Sequence, residues 1–360
     1  MVEYVIENRF PEESEIDKLN EFLNRIWHEY NYEEGFFDLN KDLFNWYASS
    51  PLQKPEYYFI CFDKQTREII GFTMVVARQM FIDGKGPYTM IYGGMMTVDQ
   101  RYQGLGIGKD LGNTMAHVTD NSDIAGWFAM IEPGSRGLAT VRKMEYNNRI
   151  ELWDHPKMFL RPLNVRKHIK LGNLGVLEKI GAILIEGVKA VKDPRIMPVS
   201  IDADIDQLLD LLNSYAKVYR LARCWEKKEL LGYLKNPLCR GMVLKEQGRI
   251  TGVAIAIVTP FFLKGEKFIL AMLENCHYRD LSKPDQNLLV RSLLYQLKQE
   301  GIVAVTEFGA GYYDLAPLRA NRFIGYKRRM VLYFLPVMKP DDERLKKIKE
   351  NKDPIYVDIR

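Results

Sequence analysis

Three glycines alternate in Gln103-Gly104-Leu105-Gly106-Ile107-Gly108-Lys109, a spacing suited to holding a pyrophosphate. Glycine admits backbone torsions that other residues avoid and lets the chain come within hydrogen-bond reach of a ligand. A helix predicted from about residue 106 to residue 118 leaves its first N–H groups without intrahelical partners, and its dipole favours negative charge there. Lys109 adds a cation beside them. A P-loop is set aside on spacing: Gly104 and Gly108 stand one residue too close, and Asp110 replaces the hydroxyl that would hold magnesium. A dinucleotide fingerprint finds an acid in Glu132 at the end of the next predicted strand, but Lys109 occupies its third glycine position.

Val98 followed by Gln103-Gly104-Leu105-Gly106-Ile107-Gly108 resembles the Q/R-x-x-G-x-G/A signature of the GNAT superfamily of acyl-CoA-dependent N-acyltransferases. The resemblance implies that residues 103–109 contact the phosphates of coenzyme A. Met96, Thr97 and Val98, on the strand before the turn, would then contact the pantetheine arm. It also implies direct transfer from acetyl-CoA, or another acyl-CoA, to a primary amine of a small molecule or peptide. The peptide N–H groups near Met96 to Val98 would polarise the thioester carbonyl.

N-acylation needs a neutral amine, a donor for the carbonyl oxygen and an acid for the leaving thiolate. Many GNAT members carry a glutamate six residues before the Val98 position, where this chain has Tyr92. The late-helix tyrosine of other members has no counterpart in Ala139-Thr140-Val141-Arg142. Glu132 is therefore the expected base, acting directly or through water, with Tyr92 as acid or water relay. A solvated loop acid and a core aromatic are the plain alternatives for these two residues. Two further functions stay open: an acyl-CoA sensor without catalysis, and a nucleotide-dependent oxidoreductase.

The elements around the turn predict a mixed α/β fold with two GNAT-like domains in tandem. A helical region from Glu15 to Trp27 precedes a strand pair at 57–62 and 69–81 and a third strand at 88–98. After the turn and its helix come a strand at 124–131, a short helix near Leu138 and a last strand at 150–160. Strands ahead of the turn read as antiparallel, and the helix after it makes a βαβ crossover with a parallel pair. Gly71 in Arg67-Glu68-Ile69-Ile70-Gly71 is echoed by Gly252 in Gly248-Arg249-Ile250-Thr251-Gly252, and Tyr146 by Tyr326, at offsets of 181 and 180. The second copy has no glycine turn: Pro284, Asn287 and Leu289 stand at the positions of Gln103, Gly106 and Gly108, with Ser282 or Asp285 as helix cap. One cofactor site per chain follows. The expected domains are residues 1–162 with the acyl-CoA site and residues 194–338 as a degenerate copy. Between and after them lie a helical linker at 163–193 and a charged tail at 339–360.

A chain of 360 residues with 47% hydrophobic residues can build more than one core. A net charge of +4 lacks the excess of a nucleic-acid binder. Cys61, Cys224, Cys239 and Cys276 form no paired motif and read as buried thiols. The five histidines have no metal-ligand spacing, so no metal is expected. Glu178, Lys179, Glu186 and Lys189 interrupt the apolar stretch 171–192, which reads as an interdomain helix rather than a membrane span. With an acid-bearing N-terminus and no secretory pattern, a cytoplasmic location is expected. The aromatic segment from Trp27 to Tyr47 reads as core, with a cationic amine site as the alternative. Tyr312 and Tyr313 would face the cleft or cap a sheet edge.

Overall fold

The computed structural model describes residues 3–31, 35–120, 124–131, 151–154, 157–167, 187–219, 221–309, 314–329, 331–336 and 355–356, with residues 139 and 183. Strand β1 (Tyr4–Asn8), helix α1 (Glu13–Asn31), β2 (Phe36–Phe37) and α2 (Lys41–Ala48) lead into the strands β3 (Tyr58–Asp63), β4 (Ile69–Ile82) and β5 (Lys85–Val98). Helix α3 (Ile107–Asp120) and β6 (Gly126–Ile131) follow, then β7 (Glu151–Asp154) and β8 (Lys157–Pro162). The later half repeats the order with β9 (Ile196–Pro198), α4 (Ile201–Ala216), β10 (Leu221–Arg223), α5 (Lys227–Lys235), β11 (Cys239–Glu246), β12 (Arg249–Leu263) and β13 (Glu266–His277). It closes with α6 (Lys283–Gln299), β14 (Ala304–Gly309), α7 (Ala316–Ala320), β15 (Ile324–Arg329), β16 (Val331–Pro336) and β17 (Ile355–Tyr356).

The elements follow from local chemistry. Helix α1 buries Leu19, Phe22, Leu23 and Ile26, one stripe at helical spacing, and begins with Glu13 and Glu15 beside its positive end. Asn40 caps α2 by accepting the Leu43 N–H. The β4–β5 hairpin turns through Asp83 and Gly84, both at positive φ, and the β12–β13 hairpin through Lys264 and Gly265 in the same conformation. These two turns lie at the spacing of the sequence repeat.

Two mixed sheets carry the fold. The first runs β1-β3-β4-β5-β6-β16-β7, and the second runs β15-β8-β14-β13-β12-β11-β9. The halves exchange strands: β8 lies in the second sheet between β14 and β15, while β16 lies in the first between β6 and β7. The expected single strand over 150–160 is thus two strands, β7 and β8, that serve different sheets. Strand β2 also pairs with β12, and β10 with β4. One core joins residues of α1, α2 and the first sheet, such as Leu23, Trp46 and Phe72, to residues of α4, α5 and the second, such as Leu212, Tyr233 and Ile255. Helix α3 covers the opposite face of the first sheet through Ile107, Leu111 and Met115, and α6 the opposite face of the second through Leu289, Leu293 and Leu297.

Most of the expected helix over 171–192 lies outside the described residues. Its end departs from the expectation: residues 187–192 are not helical, and Gly187 has a φ of 108°, far from helical torsion. Cys61 and Cys276 are buried, as expected, whereas Cys224 and Cys239 are half-buried; all four are free thiols. No helix among the described residues is long and apolar enough to cross a membrane.

Candidate active site

Strands β5 and β6 are parallel neighbours at Met90↔Gly126, Ile91↔Trp127 and Tyr92↔Phe128, and the described pairing stops there. Beyond Tyr92, β5 continues from Gly93 to Val98 against β4 alone among the described residues, so the sheet opens there into a split with one unpaired edge. A bulge interrupts β5 within that edge. Phe72 faces Thr97 and Met74 faces Gly94, so Met95 and Met96 together oppose Thr73. Met95 has a φ of 58°, unusual for a residue with a side chain, and this re-aims the neighbouring peptide groups. Polar backbone on an unpaired edge is a ready partner for an extended amide-bearing chain.

The edge runs into the glycine turn. Gly104 and Gly106 have φ values of 82° and 87°, and a Cβ on either would meet nothing within 4 Å. The turn therefore needs glycine for its conformation, and its surface is open to an incoming group. Leu105 is 43% exposed while Ile107 is buried in the core under α3, which anchors the helix and leaves the turn projecting. Gln103 and Lys109 are exposed. Asp110, the acid in the first turn of α3, accepts a hydrogen bond from Tyr4 Oη at 2.5 Å.

Helix α1 holds the strand end and the turn together, a role that the sequence did not reveal. Trp27 Nε1 donates to Thr97 Oγ1 at 2.9 Å, and Tyr30 Oη donates to the Val98 carbonyl at 3.3 Å and meets Gln103 Nε2. Asp99 is fully buried at the junction, where its carboxylate accepts from Arg25 Nη2 at 2.8 Å, Arg101 Nη2 at 2.9 Å and the Arg101 N–H at 2.9 Å. Burial pushes this carboxyl up, but the hydrogen bonds from Arg101 and Arg25 outweigh it and hold it at about 2. Two cations are thereby fixed beside the turn.

Residues 16–127, from α1 into β6, match the model of the acetyltransferase (GNAT) family. They form a GNAT domain. No curated protein matches the chain in sequence. Among solved structures, Saccharomyces cerevisiae N-myristoyltransferase with bound myristoyl-CoA aligns with a TM-score of 0.79 at 15% identity, covering 98% of this chain and 89% of that one. A second structure of the yeast enzyme, with bound myristoyl-CoA and inhibitors, aligns at 0.75 and 14% identity over 92% and 80% of the two chains. A GCN5-related N-acetyltransferase from Anabaena variabilis aligns at 0.53 and 12% identity over 92% and 72%. At such identities the likeness is one of fold: two GNAT-like units in tandem.

Within the GNAT domain, Tyr92 stands at the base of the split. It is 5% exposed, with its ring centroid 5.3 Å from Phe128, 6.0 Å from Tyr47 and 5.3 Å from the Arg78 guanidinium. Met96, Thr97 and Val98 lie on the unpaired edge, and Gln103 to Lys109 make the turn and the start of α3, so the structure gathers these residues along one path. Glu132, Tyr312 and Tyr313 lie outside the described residues. Of the aromatic segment, Phe44 and Trp46 are buried in the central core, Phe36 and Phe37 pair with Phe262 and Phe261 across β12, and Trp27 and Tyr30 serve the turn.

The second unit keeps the split and loses the turn. Strands β13 and β14 pair at Leu270↔Ala304, Ala271↔Val305 and Met272↔Thr306 and then part, and a bulge at Glu274 follows. From His277 the chain reaches α6 in residues 278–282, against residues 99–106 in the first unit. Ser282 caps α6 by accepting the Asp285 N–H at 3.3 Å. Leu281 is buried, and its Cδ1 lies 2.6 Å from where a Cβ of Gly252 would be. Tyr215 of α4 seals the strand end. Its ring stands edge-on to His277 at 5.2 Å, its hydroxyl donates to Asp280 Oδ2 at 3.0 Å, and it accepts the Asp280 N–H at 3.1 Å.

Proposed function

We propose that the chain is an N-acyltransferase that moves an acetyl group directly from acetyl-CoA to a primary amine of a small molecule or peptide. One observation carries it: the unpaired, bulged edge of β5 leads, through one short 3-10 turn at Gln100–Tyr102, into an open glycine turn at the start of α3. Coenzyme A has the matching shape, with amides along pantetheine for the strand edge and a pyrophosphate for the turn. Gln103, Gly104, Leu105, Gly106, Ile107, Gly108 and Lys109 form the phosphate site, and Met96, Thr97 and Val98 the pantetheine site.

The thioester then lies beside the bulge, where N–H groups near Met96 to Val98 stabilise the oxyanion as the amine attacks. Glu132 takes the proton from the amine, directly or through water, and Tyr92 donates to the departing thiolate or relays through water. The two units, 1–162 and 194–338 with the linker 163–193 and the tail 339–360, divide the work. The first binds the donor and the second completes the acceptor cleft.

Calorimetry with acetyl-CoA, coenzyme A and NADH on wild type and Gly106→Glu tests this reading. One acetyl-CoA per chain, lost in the variant, is the expected result; preference for NADH would sink it. Glu132→Gln should lower turnover with little change in acetyl-CoA affinity. The missing glutamate at Tyr92 favours a second reading, an acyl-CoA sensor, which predicts binding with no turnover across an amine panel.

A further inference from the structure

We infer that Trp127 and Tyr47 limit the donor to short acyl chains by closing the two ways out of the split between β5 and β6. The inference rests on the acyl-CoA reading above. With the pyrophosphate at the glycine turn and pantetheine along β5, the acyl carbons point towards the base of the split at Tyr92 and Phe128. There the strands are hydrogen-bonded again, and a chain cannot pass between backbones about 4.8 Å apart. Any longer acyl group must leave through one face of the sheet.

Alternation along β5 offers one exit on each face. Gly93 opens towards α3 and Gly94 towards α2, and neither has a side chain of its own to fill the space. Both spaces are filled from elsewhere. A Cβ on Gly93 would lie 2.8 Å from Trp127 Cε2 and 2.9 Å from Cζ2, so the indole lies against the glycine. A Cβ on Gly94 would lie 3.0 Å from Tyr47 Cζ, with the Tyr47 hydroxyl closer still. Trp127 packs with the α3-face core, and Tyr47 against the central core on the other side. The Trp127 indole N–H is buried and makes no hydrogen bond among the described residues. Burying such a donor unpaired is unfavourable, so the ring is held there by shape, as a filler.

The test is calorimetric binding of acetyl-, butanoyl-, octanoyl- and tetradecanoyl-CoA to wild type, Trp127→Ala and Tyr47→Ala. Wild type should bind the two short esters at least tenfold more tightly than the two long ones. Each variant should lower the octanoyl-to-acetyl Kd ratio at least tenfold. Equal binding of acetyl- and tetradecanoyl-CoA by wild type, or a wild-type length profile in both variants, would overturn the inference. Circular dichroism identifies a variant that fails to fold; the other exit then decides the outcome. If wild type binds none of the four esters nor free coenzyme A, the acyl-CoA reading itself falls, a result distinct from a flat length profile.

Discussion

The two units of this chain place the same strands around the same split and spend the next few residues differently. In the first, residues 99–106 carry glycines at positive φ over open space, and the adjoining α1 side chains reach only the flanks of the turn. In the second, residues 278–282 reach the helix with three residues fewer, Leu281 turns inward, and Tyr215 closes the strand end. The βαβ scaffold survives without a ligand site because its stability comes from the sheet and the helix face. The site depends on a turn that contributes almost nothing to the core.

The largest test of this contrast is Gly106→Glu. It should weaken coenzyme A binding at least 100-fold, about 2.7 kcal/mol, with a stability loss of only about 1–2 kcal/mol from a side chain at positive φ, because a Cβ there would meet nothing within 4 Å. Leu281→Ala should do the reverse. It should cost about 2–4 kcal/mol in chemical denaturation, as buried leucine truncations do, and leave coenzyme A affinity unchanged. Unchanged coenzyme A affinity in the first variant or an affinity loss in the second would break the comparison.

His277 stands at the position of Met96 in the repeat, and burial holds its imidazole down at about 3. With the unfolded value near 6.5, the unfolded chain binds a proton that the folded chain refuses. Stability should therefore fall as pH drops from about 6.5 towards 3, by about 1.4 kcal/mol per unit. His277→Met should flatten that slope in denaturation curves between pH 6.5 and 4. Asp99 acts lower: its stabilisation is present above its unfolded value near 3.9 and is lost as pH falls towards about 2. Asp99→Asn should cost about 1–2 kcal/mol at neutral pH and weaken coenzyme A binding several-fold as Arg25 and Arg101 lose their anchor. Tyr30→Phe should have the smallest effect, about a twofold to fivefold loss of affinity, measured in the same titrations.

The glycine turn, the helix after it, the antiparallel strands ahead of it and the repeat were all legible in the sequence. Each is written in neighbouring residues: glycine spacing, apolar periodicity, and local echoes such as Gly71 and Gly252. The residues that shape the site from a distance left no such trace. Trp27 and Tyr30 bond to Thr97 and Val98 about 70 positions away, and Trp127 fills a space left by Gly93 on another strand. The exchange of β8 and β16 between the sheets was equally hidden, since a strand's pattern records that one face is buried and not which sheet buries it. By itself the sequence determined where a phosphate can be held, because backbone torsion and helix polarity are local properties. Only the tertiary structure decided how the strand edge is exposed, which helix braces it and how deep the split runs, because those depend on packing between elements far apart in the chain.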